Sequence, residues 1–167
     1  GVVARNITLV GLGDSVTSDS CRFLGYQGST SHNYSLIYVN EIDAAGLKIM
    51  NSTFIHGGGH AIYLSSSNSS SSPTGLMISN NTITDTYGGI YAKYFDGITI
   101  RGNTIKGPGL YDTGIRLDYC DGANVVEDNS IYGPDMTYGL YLTYCQSASG
   151  NEATVVNNQS SVEDYGN

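Results

Sequence analysis

Tryptophan is absent from this chain, and lysine and arginine together number only seven in 167 residues. So few cations cannot line a phosphate backbone, which excludes nucleic acid as a natural partner. Charged residues of both signs make up 13% of the sequence, and the balance is −8. Cations or neutral sugars suit such a surface better than polyanions do. No apolar run approaches the ~18 residues that a membrane-spanning helix needs. The charged start and apolar core of a secretory leader are missing too, and the first residue is Gly1. The chain therefore reads as a processed mature protein or an excised fragment. Three prolines and three cysteines allow neither a stiff linker nor a dense disulfide scaffold.

What is present is repetition. DGITIRGNTIKGPGLYDTGIRLDYC, from Asp96 to Cys120, is followed at once by DGANVVEDNSIYGPDMTYGLYLTYC, from Asp121 to Cys145. The two copies pair Ile115 with Leu140, Leu117 with Leu142 and Cys120 with Cys145. A fixed period of this size marks a stacked-repeat architecture. Apolar residues alternate in runs of three to five, bounded by Gly, Asn, Asp and Pro, which is strand periodicity broken by turns. The register extends outward through Ile37, Ile62, Ile90, Ile115 and Leu140, at steps of 25, 28, 25 and 25. A second column runs Phe23, Phe54, Ile83, Ile105 and Ile131. A third runs Ile49, Ile78, Ile100, Val126 and Val155.

Three apolar columns per period predict three short strands per turn of a coil, about six turns in all, within one domain spanning 1–167. The 28-residue step comes from a Ser-rich loop over 65–73, which must bulge from the coil. The pattern resembles the right-handed parallel β-helix, the pectate-lyase-like and NosD-type repeat family, over residues from about Arg5 to Val162. The resemblance implies an all-β solenoid. It also implies a ladder of stacked amides at a tight turn, in the slot held by Asn81, Asn103, Asn129 and Asn158, with Ser52 and Cys21 in the same place. Asn tolerates the left-handed backbone there, and its amide both donates and accepts. Neither terminus carries an amphipathic helix to act as a cap, so both mouths of the coil are expected to be open.

The outward positions hold the candidates for function. Tyrosine occurs 14 times. One aromatic strip is expected through Tyr38, Tyr63, Tyr91 and Tyr141, with Arg116 between the last two, and another through Tyr94, Tyr119 and Tyr144. Such strips suit sugar rings or a neighbouring subunit, and they also stabilise strands. In register, Lys93 meets Asp118, which reads as a surface ion pair of small worth. Asp96 and Asp121 stack and offer a weak site for Ca²⁺; no other cofactor is expected and no catalytic set stands out. His56 and His60 flank Gly57, Gly58 and Gly59, a segment that faintly resembles the Gly-His-Gly of polygalacturonases but lacks that family's acidic and basic motifs. It reads best as a Gly-rich turn.

Cys120 and Cys145 fall one turn apart, within disulfide range, although parallel side chains would strain the bond. The alternative is a buried thiol stack under Phe95. Cys21 is then left for intermolecular crosslinking. Six Asn-x-Ser/Thr sequons, at Asn6, Asn33, Asn51, Asn68, Asn80 and Asn158, point to a secreted, glycosylated chain at the cell surface. Two functions follow. One is a structural subunit of an extracellular filament, sheath or surface layer, self-associating end to end. The acidic, Lys-poor, Ser/Thr/Asn/Tyr-rich composition resembles that of prokaryotic, especially archaeal, surface proteins. The other is a carbohydrate-binding or polysaccharide-processing module, a lyase or glycoside hydrolase if an enzyme.

Overall fold

The computed structural model describes residues 7–8, 16–26, 30–42, 45–66, 72–107, 110–145 and 153–162. Each lap of the chain lays down three short strands that join three separate parallel sheets of six strands. The first sheet stacks Ile7–Thr8, Ile37–Ile42, His60–Ser66, Gly88–Lys93, Thr113–Asp118 and Tyr138–Thr143. The other two are built from three- and four-residue strands such as Thr99–Arg101 and Thr104–Lys106. Every pairing is parallel, and its register is that of the apolar columns: Ile37 on Ile62, Ile62 on Ile90, Ile90 on Ile115, Ile115 on Leu140.

This is the parallel β-helix that the columns predict. Inward-facing side chains meet their counterparts one lap above and below, so like stacks on like. Phe23 and Phe54 lie face to face, with ring centroids 4.6 Å apart. Ile83, Ile105 and Ile131 continue their column, wholly buried. The mouth near residue 155 is looser, with Leu140 and Leu142 only partly buried. The chain ends fall outside the described residues, as do 67–71 of the Ser-rich loop.

One corner is held by amides. Asn81, Asn103 and Asn129 are buried. The Asn81 amide nitrogen donates to Asn103 Oδ1 at 3.0 Å, Asn103 to Asn129 Oδ1 at 2.9 Å, and Asn129 to Asn158 Oδ1 at 2.8 Å. Each also donates to a backbone carbonyl, as Asn103 does to Ile78 at 3.0 Å. Ser52 receives the ladder through its own N–H, which donates to Asn81 Oδ1. Cys21 follows, its N–H donating to Ser52 Oγ. The left-handed residue of this corner is not the ladder residue. It is the one before it, at Asn51, Asn80, Gly102, Asp128 and Asn157, all with φ between 50° and 63°. The ladder residue itself must turn inward, which the preceding kink allows.

Candidate functional site

The outer face of the first sheet departs from the repeat over four laps, and there the polar side chains gather. The single-turn helix His32–Tyr34 sits beside the Gly57–Gly59 segment. An added Cβ at Gly59 would fall 2.6 Å from the Ser31 carbonyl oxygen, so only glycine lets the two segments meet. Ser35 locks them: its hydroxyl donates to the His32 carbonyl at 2.6 Å and accepts from the His60 N–H at 3.1 Å. The turn therefore presents His32 against His60, with the two Nδ1 atoms 3.2 Å apart.

His60 is 1% exposed. Its ring occupies the space above Gly88, where a Cβ would lie 2.5 Å from His60 Cδ2. On its far side, His60 Nε2 lies 3.3 Å from Asp112 Oδ2. The pair falls outside strict hydrogen-bond geometry but is close enough for a weak hydrogen bond together with charge attraction. Asp112 is placed by its own N–H, which donates to the Tyr87 carbonyl, and by Thr113, whose hydroxyl donates to Asp112 Oδ1. Interaction with His60 holds the Asp112 carboxyl below its ordinary range. Burial, and then the neighbouring His60, lower the pKa of His32 and favour its neutral imidazole.

Aromatic rings continue the surface on both sides. His32 stacks on Tyr63 at 4.9 Å and lies 5.7 Å from the Tyr91 ring. Tyr38 stacks on Tyr63 at 5.2 Å, and Tyr63 meets Tyr91 edge-on at 5.0 Å. The Arg116 guanidinium carbon sits 4.9 Å from the Tyr91 ring and 5.4 Å from that of Tyr141. The guanidinium forks onto Asp118, with Nε and Nη2 donating at 3.1 Å and 2.8 Å. That partner raises the pKa of Arg116 further. Tyr91 donates its hydroxyl to the same carboxylate at 2.6 Å, and burial with this bond pushes its pKa well up.

The ion pair expected between Lys93 and Asp118 is therefore replaced. Arg116 lies two residues from Asp118 on one strand, hence on the same face, and reaches it with a planar fork. Lys93 rests instead over Tyr94, its Nζ 4.5 Å from the ring centroid. Tyr94, Tyr119 and Tyr144 form their own ladder, 5.3 Å and 4.8 Å apart. All three have positive φ, between 52° and 61°, an uncommon backbone for a bulky residue.

The remaining candidates are placed separately. Cys21, Cys120 and Cys145 are free thiols, so the expected Cys120–Cys145 disulfide is not formed. Parallel side chains direct both sulfurs at carbonyls: Cys120 Sγ at Asp118 O, 3.4 Å, and Cys145 Sγ at Leu117 O, 3.4 Å. A hydrogen bond from the Cys120 thiol lowers the pKa of Cys145, while that same hydrogen bond and burial raise that of Cys120 and hold it protonated. Asp96 and Asp121 do bridge in register. Two carboxylates fall far short of the six to eight oxygens Ca²⁺ takes, and among the described residues no three acidic, His or Cys side chains gather around a metal position.

His56 pairs with Asp85 at 3.8 Å, away from His60. Of the sequon asparagines, Asn33, Asn51 and Asn80 are exposed, and Asn51 donates to Asp19 at 2.8 Å. The Asn158 amide nitrogen donates to the Val126 carbonyl, and its oxygen accepts from Asn129 in the ladder. Asn6 and Asn68 lie outside the described residues.

Sequence reasoning passed over His32 and Asp112. The signal available was each lap's departure from its copy: Asp112, Arg116 and Asp118 stand where the next lap has Thr137, Tyr141 and Thr143.

Comparison with curated proteins and with solved structures gives no match. A family profile described as right handed beta helix region matches residues 35–166. With that match over most of its length, and with three parallel sheets wound lap on lap, the chain belongs to the right-handed β-helix family.

Proposed function

We propose that the outer face of the first sheet is a carbohydrate-binding surface, and that the protein is a β-helix module that holds and processes a neutral glycan chain. The observation that carries this reading is the run of Tyr38, Tyr63, Tyr91, Arg116 and Tyr141, continuous through ring contacts and flanked by His32 and Asp112. Tyrosine offers an apolar plate with a polar rim, which matches the two faces of a sugar ring. Arg116 spends Nε and one Nη2 proton on Asp118 and keeps its Nη1 edge for a sugar oxygen. A net charge of −8 favours an uncharged chain over a polyuronate. An extracellular setting accords with such a ligand.

The test is affinity electrophoresis or calorimetry against neutral polysaccharides such as xylan and mannan. Tyr38→Ala removes the partly exposed plate at the end of the run and is expected to weaken binding about tenfold, one stacking contact being worth about 1.5 kcal/mol. Undiminished retention would refute the reading.

Self-assembly at a cell surface is the second reading. It draws on the exposed Tyr119 and Tyr144 of the other ladder and on the exposed Cys21 thiol. Sedimentation velocity with and without reductant separates the two, since assembly through Cys21 predicts reductant-sensitive oligomers.

A further inference from the structure

We infer that Asp112, His60 and His32 form a proton relay ending on His32 Nε2, and that this nitrogen is the general base of an esterase acting on O-acylated glycan. The inference deepens the carbohydrate reading and rests on it for its substrate. Its geometry stands on two contacts. The Asp112 carboxylate faces His60 Nε2 at 3.3 Å, so that nitrogen carries the His60 proton. The buried His60 then has a bare Nδ1, which can only accept. The atom 3.2 Å from it is His32 Nδ1, which must donate. One unprotonated nitrogen remains in the pair, His32 Nε2, on the ring edge directed away from His60. His32 keeps part of its ring open to solvent, although desolvated where it packs on His60 and Tyr63, while His60 is buried, as a base and its orienting group should be.

The surroundings select the reaction. Glycoside cleavage by paired carboxyls needs one that keeps its proton. Here Asp112 is held ionised by His60, and Asp118 is taken by Arg116 and Tyr91. Abstraction of a carbon-bound proton asks for a concentrated positive charge, and the Arg116 charge is already shared with Asp118. Attack of water on an ester asks for less. It needs a neutral imidazole and a donor for the oxyanion.

Arg116 flanks the same Tyr91 ring as His32 and supplies that donor. His32 Nε2 takes a proton from water as the water oxygen bonds to the acyl carbon, and the carbonyl electron pair moves onto its oxygen beside Arg116. The intermediate collapses, the bond to the sugar oxygen breaks, and that oxygen takes the proton back from His32. Ester and water become carboxylic acid and sugar hydroxyl, with the imidazole neutral again.

The groups facing His32 are His60 and Tyr63 from the strand His60–Ser66, Tyr91 from Gly88–Lys93, and Asp112 and Arg116 from residues 110–118. Acid release is expected to fall on the acidic side as His32 takes a second proton.

The experiment combines nitrogen-15 NMR of the histidine rings with acetate release from O-acetylated xylan and from p-nitrophenyl acetate. The expected spectrum shows His60 protonated on Nε2 and His32 on Nδ1. A His32 proton on Nε2 overturns the relay whatever the substrate. His32→Gln is expected to lower kcat by about a hundredfold or more. Asp112→Asn is a positioning change, expected to lower kcat by roughly tenfold to a hundredfold with KM unchanged and the acidic limb displaced. Xylan that binds without any acetate release overturns the inference and leaves the binding reading standing. Release from the small ester that depends on His32, without xylan binding, sustains the relay and refutes the glycan.

Discussion

The laps 96–120 and 121–145 are near copies, yet the ionisable residues of the proposed site stand in the first, and the second adds only Tyr141. Both contribute to the same sheets in the same register, Ile115 on Leu140 and Leu117 on Leu142. They differ outside. Where the first has Asp112, Arg116 and Asp118, the second has Thr137, Tyr141 and Thr143. The inward half of each lap is fixed by the need to stack like on like, so it carries no information about function. The outward half is free of that demand, and a charged or ionisable residue that breaks the repeat there has to be accounted for by something other than the fold.

The interior half of the comparison should give the largest effect on stability. Asn103→Ala removes a buried amide that links three laps, leaving the Asn81 N–H and the Ile78 carbonyl without their partner. A loss of about 3 kcal/mol is expected, read as a lower denaturation midpoint. Asn51→Ala, at the exposed residue just before the ladder, is expected to lose far less. Next comes Gly88→Ala, whose Cβ would meet the His60 ring. About 1–3 kcal/mol of destabilisation is expected from overpacking, and the His60 signals should shift in the NMR spectrum.

The smallest effect is pH dependence. Burial lowers the His32 pKa, so the unfolded chain binds more protons in the window just below the ordinary value of about 6.5. Its contribution is complete above that value and declines as pH falls toward the folded pKa. Asp112, also lowered, adds a loss in the same direction at more acidic pH. His32→Gln should flatten the stability curve near neutrality and leave the lower part to Asp112. Thermal unfolding as a function of pH reads both, and an unchanged curve near neutrality would show that His32 is not held neutral by the fold.

Much of this fold was legible in the sequence because a solenoid writes its register as spacing. Ile37, Ile62, Ile90, Ile115 and Leu140 stand over one another as their steps require. The amide slot was legible too, though the left-handed backbone falls one residue earlier. The site was less so. Gly57, Gly58, Gly59 and His60 stood out, but their purpose depends on the close approach of Ser31 and Ser35, more than twenty residues away. His32 and Asp112 lie between the columns, where spacing says nothing. Asp118 was matched to Lys93 by register alone, whereas a planar fork on its own strand reaches it first.

The double substitution Arg116→Tyr, Asp118→Thr gives the first copy's strand the outward residues of the second, Asp112 apart, and tests the comparison most directly. Tyr141 and Thr143 already occupy these positions one lap on, so the strand is kept, while the Tyr91 hydroxyl loses its acceptor and stability should fall by about 1–3 kcal/mol. The measurement is acetate release from O-acetylated xylan by this variant at matched foldedness. A loss of about a hundredfold or more is expected from removing the oxyanion donor. Release at the rate of the unaltered chain would show that the residues breaking the repeat are not where the function sits.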